Sequence, residues 1–174
     1  MTHRPRRVSS AAPDPTLVRA EWHLGQRTEY LPPNRGFDEY LGIPFSQDMG
    51  LSFWRHPTPL RPAPPFQPVP LPLVNGTTVV EQPVGLHHLV AKYVDFATSF
   101  ITRNSAAGKP WYLYVPFNHI HAPNSCAAKW CGKAPRGPVG DAVEEMDWAV
   151  GEIMASVKGA GVDDNTLTLF TSDK

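Results

Sequence analysis

Two groups of polar side chains stand directly after predicted strands, and they are the first candidates for chemistry in this chain. His119 and His121 follow the apolar run at residues 111–117, and Asp173 follows the run at residues 166–172. Both runs have the composition of buried strands. The carboxyl ends of parallel strands meet at one edge of a sheet, so we expect these imidazole and carboxylate groups to converge on one crevice.

A helix is predicted before each of these strands. Residues 86–103 place apolar side chains at helical spacing, and residues 140–158 do the same. The predicted apolar face of the second helix consists of Val143, Met146, Val150, Ile153 and Val157. Alternation of helix and strand in this order indicates an α/β domain with a mostly parallel sheet.

Two stretches carry no regular periodicity. Residues 1–20 are predicted to be a disordered leader, which leaves residues 21–174 for the domain. Residues 57–73 are dominated by proline, in a chain with 20 prolines among 174 residues, and an extended polyproline-like loop is expected there. The PxxP spacings also allow an SH3-type partner, but a long surface loop within the domain is the favoured interpretation.

Composition argues against several classes of function. Lysine plus arginine equals aspartate plus glutamate at 16 each, so no bulk charge selects nucleic acid. The sequence contains no apolar run of about 18 residues that could span a membrane. Its first residues are basic without the apolar stretch of a signal peptide, so a protein made as written is expected in the cytoplasm.

The two cysteines, Cys126 and Cys131, leave three interpretations open. Together with His119 and His121 they could form a zinc site, because the C-x₄-C interval is allowed. The H-x-H spacing places alternate side chains rather than a fixed clamp, so zinc is the least favoured. A disulfide across the short loop, or two free thiols, is preferred.

The stretch at residues 22–48 resembles the block after the Gly-Lys-Trp-His-Leu-Gly motif of the sulfatase family, and is most similar to the arylsulfatase A and G group. His23 matches the family histidine that contacts the formylglycine hydroxyl. Ser46, in Gly-Ile-Pro-Phe-Ser-Gln-Asp, matches the substrate-pocket serine of the family's Gly-Ile-Pro-Tyr-Ser-His-Asp. His121 matches the His-x-Pro histidine that binds sulfate, and Asp173 matches the first residue of the Asp-Asn-Gly calcium motif.

The resemblance also implies a fold, an activity and a location. Asn75 begins an Asn-Gly-Thr sequon where these enzymes carry a glycosylation site. The implied fold is the alkaline-phosphatase-like α/β sandwich. The implied activity is hydrolysis of sulfate esters, such as sulfated small molecules, glycans or glycolipids, with formylglycine and calcium. The implied location is lysosomal or secreted.

Several departures from the family pattern limit what this chain is expected to do. The Cys-x-Pro-Ser-Arg motif that yields formylglycine is absent, and Lys174 stands where a calcium-binding asparagine is expected. Glu21 replaces the lysine before Trp22, and its carboxylate would repel sulfate by about 1–4 kcal/mol at a separation of about 4 Å. We therefore expect a partial sulfatase domain, truncated at both ends and inactive alone. Exposed sheet edges and apolar helix faces would make it poorly soluble.

Other interpretations stay open. A non-catalytic binding protein could use the degenerate pocket or the proline-rich loop, whereas a related phosphoesterase is disfavoured by the serine block and the His-x-Pro motif. His23 has a core histidine as its structural alternative, and Ser46 a turn cap. His119 is expected to support its loop rather than to contact substrate.

Overall fold

The computed structural model describes residues 16–19, 21–50 and 70–172. Within these ranges five short strands form one sheet, in the order β4-β3-β2-β1-β5. The strands are β1 (Thr16–Arg19), β2 (Glu39–Gly42), β3 (Leu73–Asn75), β4 (Thr78–Glu81) and β5 (Tyr112–Tyr114).

The sheet is mixed, which corrects the prediction of a mostly parallel one. β1 runs parallel to β2 and to β5, whereas β3 is antiparallel to both β2 and β4. The β3–β4 pairing follows from the turn between these strands, where Asn75 pairs with Thr78 across a two-residue connection. A connection this short can join only antiparallel strands. Gly76 in that turn has a φ of 62°, which glycine adopts without steric cost.

Two predicted irregular stretches contribute to this sheet. Residues 16–19, assigned to the leader from sequence, form β1 between β2 and β5, which is a correction. Residues 1–15 and most of the proline-rich stretch, residues 57–69, lie outside the described residues. The end of that stretch is not an exposed loop, because Leu71 and Leu73 are buried and Leu73 begins β3.

Two long helices lie at the predicted places. They are α1 (Leu86–Ala106) and α2 (Gly137–Gly159). α1 buries the face that its periodicity predicted, with Leu89 and Tyr93 packed against Leu41 and Ile43 from the β2 region. Each large apolar side chain buried in this way contributes about 1.5–3 kcal/mol. Neither helix is long and apolar enough to cross a membrane, and the same holds for every helix within the described ranges.

The buried face of α2 differs from the predicted apolar stripe. Val143 is exposed, and the side chains that the helix buries are Asp141, Ala142, Glu145, Ala149 and Val157. Ala149 packs against Val90 and Val94 of α1. The small alanines allow the two helices to approach closely. The two carboxylates are buried because they bind backbone N–H groups of the preceding loop. Side-chain polarity therefore did not predict which face of this helix is buried.

Two strand predictions are also corrected. Only Tyr112–Tyr114 of the run at residues 111–117 forms a strand, and it lies at the sheet edge with both tyrosines about half exposed. In the described part of the chain, residues 166–172 form no strand. Leu167 and Leu169 there are 85% and 82% exposed, because no described strand lies beside them.

Candidate active site

Trp22 anchors the segment that brings the first site residues together. Its indole is buried and donates from Nε1 to the carbonyl oxygen of Tyr30 at 2.8 Å, while its backbone N–H donates to the carbonyl of Ile43 at 3.1 Å. These bonds fix the neighbours on both sides, Glu21 and His23, beside the chain that leaves β2.

The turn after Trp22 is tight. His23 has a φ of 57°, the one positive φ of a non-glycine residue within the described ranges. Such a conformation costs free energy in an L residue and persists only where its surroundings hold it. Gly25 has a φ of 112°, and a Cβ there would lie 2.8 Å from the Cβ of Tyr30. Glycine is therefore required at position 25 for this turn and for the close approach of Tyr30.

Glu21 joins two parts of the site. Its Oε1 accepts the backbone N–H of Gln47 at 2.8 Å, and its Oε2 lies 3.2 Å from Nε2 of His23. The Glu21 side chain is 10% exposed and that of His23 is 54% exposed. His23 is therefore not a core histidine, and the carboxylate that replaces the family lysine is bonded rather than free.

Ser46 and His121 meet although 75 residues separate them in the sequence. Ser46 Oγ lies 3.5 Å from Nε2 of His121, and Nδ1 of His121 lies 2.6 Å from the carbonyl oxygen of Ala122. A carbonyl oxygen only accepts, so Nδ1 carries a proton and Nε2 is the nitrogen that faces the hydroxyl. Ser46 stands at the N-cap of the 3₁₀ helix Gln47–Met49 but makes no capping bond with its side chain, which argues against a purely local role.

The loop after β5 is tied to the rest of the site by buried amides. Asn118 is fully buried and donates from Nδ2 to Oε1 of Gln47 at 2.6 Å. Gln47 donates from Nε2 to the carbonyls of His121 and Pro123. Sequence reasoning did not single out Gln47 or Asn118, since nothing in the sequence shows that two amides 71 residues apart meet.

His119 supports the loop. Its Nε2 lies 3.0 Å from Oε2 of Glu145 on α2, and the two side chains are 1% and 2% exposed. Glu145 also accepts the backbone N–H of Ala127 at 3.2 Å. The zinc interpretation is wrong, because His119 faces this carboxylate and Cys126 and Cys131 form a disulfide with a Cα–Cα distance of 5.5 Å.

A second carboxylate on α2 holds the end of the same loop. Asp141 accepts the backbone N–H groups of Ala134 at 2.8 Å, Gly132 at 2.8 Å and Lys133 at 3.0 Å. These hydrogen bonds, led by that of Ala134, hold the pKa of Asp141 below its usual range. The loop between β5 and α2 is thus attached at both ends to carboxylates of α2.

The remaining predicted site residues do not join this cluster. Asn75 lies exposed at the β3–β4 turn, toward the opposite edge of the sheet from β5, and Asp173 lies outside the described residues. Among the residues that the structure describes, no group of three or more His, Cys, Asp or Glu side chains is placed to hold a metal ion. Cys126 and Cys131 are both in the disulfide, so neither is free to become formylglycine.

The cluster can be compared with known proteins. A family model described as Sulfatase matches residues 16–174. The chain is 38% identical to arylsulfatase A of Bos taurus over 166 residues, which cover 91% of this chain and 32% of that protein. It is also 38% identical to arylsulfatase G of Homo sapiens over 174 residues, covering 91% of this chain and 33% of that protein. The chain therefore spans about a third of the length of these relatives.

A solved structure gives the same indication at the level of the fold. The crystal structure of a sulfatase from Pseudoalteromonas sp. superposes with a TM-score of 0.67 at 27% identity. The superposition covers 84% of this chain and 32% of that one. The described α/β arrangement is thus similar to part of a sulfatase.

Proposed function

The chain belongs to the sulfatase family, and from this we propose that His23, Ser46 and His121 form the sulfate-binding side of a sulfuric ester hydrolase site. The observation that carries the proposal is the approach of Ser46 Oγ to Nε2 of His121, at 3.5 Å across 75 residues. A hydroxyl and an imidazole side by side are donors suited to two oxygens of one sulfate group.

The proton arrangement at His121 supports this role. Because the Ala122 carbonyl holds a proton at Nδ1, protonation of the ring adds its second proton at Nε2, on the side of Ser46. A protonated imidazole then offers a charge-assisted N–H to the sulfate, and Ser46 offers its O–H. Both donors come from fixed backbone, so little rearrangement would accompany binding.

His23 is proposed as the proton-transfer residue of the site. Its ring lies beside Glu21, with Nε2 donating to the carboxylate at 3.2 Å, and its side chain is open to solvent. A carboxylate that orients an imidazole is the arrangement that general acid–base catalysis uses. The expected roles in the parent enzyme are thus proton transfer for His23 and oxyanion binding for Ser46 and His121.

We assign binding, rather than turnover, to this chain itself. It contains no Cys-x-Pro-Ser-Arg motif, and its cysteines are bonded to each other. Hydrolysis of sulfate esters, with formylglycine and calcium, is proposed only for a protein that also supplies those elements. The substrate class proposed for it is a sulfated glycan or glycolipid, in a lysosomal or secreted protein. The exposed position of Asn75 at a turn supports glycosylation there.

A second candidate, a binding protein without catalytic activity, is favoured by one specific observation. Glu21 places a carboxylate where the family motif has a lysine, and that carboxylate is held by both Gln47 and His23. The negative charge of Glu21 is expected to lower the affinity for an anion, while Ser46 and His121 stay in place as donors. Such a protein would bind sulfated ligands weakly and would not turn them over, even together with a formylglycine and calcium site.

Calorimetric titration of the full chain with inorganic sulfate tests the proposed site. We expect saturable binding, weakened at least tenfold in His121→Ala. A matched control is His87→Ala, which removes an exposed histidine at the start of α1 and should leave the affinity unchanged. Equal affinities in the wild type and His121→Ala would contradict the site. Turnover of a chromogenic aryl sulfate, lost in His121→Ala, would overturn the assignment of binding alone.

A further inference from the structure

Gln47 binds both Glu21, the partner of His23, and the loop that carries His121, and no role has yet been given to its side chain. We propose that Gln47 is the positioning residue of this site, and that it holds His121 in the orientation and tautomer in which Nε2 faces Ser46. The proposal rests on the proposed function only in taking His121 as a group that meets a sulfate oxygen.

The contacts of Gln47 use both side-chain N–H donors and its side-chain oxygen. The residue is 1% exposed. Its Nε2 donates to the carbonyl oxygens of His121 at 2.5 Å and Pro123 at 3.0 Å. Its Oε1 accepts from Nδ2 of Asn118 at 2.6 Å, and its backbone N–H binds Glu21 at 2.8 Å. The side chain of Gln47 thus joins three points of the loop after β5, and its backbone N–H binds Glu21, the partner of His23.

The two hydrogen bonds from Gln47 Nε2 influence the tautomer of His121 through Ala122, the residue between His121 and Pro123. The carbonyl of Ala122 accepts the proton on Nδ1 of His121 at 2.6 Å. Peptide units are planar, so holding the carbonyls of His121 and Pro123 restricts how the intervening carbonyl can turn. With that acceptor fixed, the neutral ring keeps its proton on Nδ1 and presents Nε2 to Ser46.

The chemistry of the side chain explains why an amide stands here. The similar family motif, Gly-Ile-Pro-Tyr-Ser-His-Asp, has a histidine at the position of Gln47. A neutral imidazole has one N–H and one acceptor, so it cannot donate to two carbonyls and also accept from Asn118. A carboxylate has no donor at all. Only a primary amide of this length meets all three partners at once.

Nuclear magnetic resonance of the full, ¹⁵N-labelled chain tests this directly. Two-bond ¹H–¹⁵N spectra report the tautomer of each imidazole, and we expect His121 of the wild type to be the Nδ1–H form. Gln47→Glu removes both donors at constant shape, and Gln47→Met removes every polar contact at similar length. In either variant we expect His121 to lose its single tautomer. A loss of global stability alone would not move that readout, because the tautomer is observed in the folded protein.

The chain offers a matched control in Gln82. Its Nε2 donates to the carbonyl of Pro70 at 2.8 Å, the same kind of bond at an exposed place away from the site. Gln82→Glu should leave the His121 spectrum unchanged. A folded Gln47→Met or Gln47→Glu protein with His121 still in the single Nδ1–H form would overturn the proposal.

Inorganic sulfate separates this proposal from the proposed function. We expect its Kd to rise at least tenfold in Gln47→Glu and Gln47→Met and to stay unchanged in Gln82→Glu. If the wild type binds no sulfate but its tautomer depends on Gln47, the positioning role stands and the proposed function falls. If both Gln47 variants fail to fold, hydrogen exchange of the side-chain amides in the wild type tests the proposal. Its Gln47 Nε2 protons must exchange with solvent at least tenfold more slowly than those of Gln82, and equal rates would overturn the proposal.

Discussion

The polar junction, formed by Glu21, Gln47, Asn118, His119 and Glu145, contrasts with the apolar segment at residues 166–170. The junction removes from water groups that bind water strongly, and each of its residues has a hydrogen-bond partner. The apolar segment does the reverse, since Leu167, Leu169 and Phe170 are 85%, 82% and 70% exposed.

The two regions differ in what they expose to water: the junction buries hydrogen-bonded polar groups, whereas the apolar segment exposes large apolar side chains. Buried polar groups cost free energy unless they are paired, and among the side-chain atoms of the junction only Asn118 Oδ1 is buried without a partner. Loss of any further partner in the junction is therefore expected to be costly. Exposed apolar side chains contribute little to the free energy of unfolding, but they favour association with other apolar surfaces. Substitutions in the two regions should therefore affect different measurements.

The largest effect is expected at the buried pair of the junction. Glu145→Ala should lower the free energy of unfolding by about 3–5 kcal/mol, because it leaves the buried His119 and the part-buried N–H of Ala127 without their partner. Urea denaturation followed by circular dichroism measures the change. Glu144→Ala, at the exposed neighbouring position, is the matched control and should stay within about 0.5 kcal/mol of the wild type. Equal losses in the two variants would argue against the pair.

The turn that carries His23 should show the next largest effect. Gly25→Ala forces a Cβ to within 2.8 Å of Tyr30 at a φ of 112°, and we expect it to cost about 1–3 kcal/mol. Gly151→Ala provides the opposite control, since a Cβ at that helical position meets no atom within 4 Å. It should stabilise α2 by about 0.5–1 kcal/mol. Thermal unfolding of both variants compares them, and a stable Gly25→Ala protein would contradict the strained turn.

A pH titration examines the carboxylate at the start of α2. The three backbone N–H groups on Asp141, that of Ala134 foremost, lower its pKa in the folded protein. Its contribution to stability is therefore present above the unfolded pKa of about 3.9 and is lost as the pH falls through the lower folded pKa. The stability difference between the wild type and Asp141→Asn should be constant above about pH 5 and shrink below about pH 4. A difference independent of pH would show that the charge has no part in holding the loop.

The helices could be predicted from the sequence because their periodicity is local. α1 lies where the spacing predicted it, and its predicted face, including Leu89 and Tyr93, is buried. α2 also lies where it was expected, but its buried face includes Glu145 and excludes Val143. Which face is buried depends on partners far away in the sequence, and periodicity carries no information about them.

The site shows the same limit. His23, Ser46 and His121 were found through motifs. The structure brings Ser46 to His121, whereas His23 contacts Glu21. Gln47 and Glu145 were missed, because each acts through partners on other elements and has an ordinary sequence environment. The strand prediction at residues 166–172 failed for a related reason. A run of alternating apolar residues becomes a strand only beside another strand, and none of the described strands lies next to it.

The smallest effect on stability, and the largest on association, is expected in the apolar segment. Leu169→Lys removes an apolar side chain that is 82% exposed, so the free energy of unfolding should change by no more than about 0.5 kcal/mol. Light scattering at increasing protein concentration should nevertheless show less self-association. Thr168→Lys adds the same charge at the adjacent exposed position without removing apolar surface, and it should reduce association less. If Leu169→Lys and Thr168→Lys reduce self-association equally, the added charge explains the effect. The exposed apolar side chains would then not be the cause of self-association.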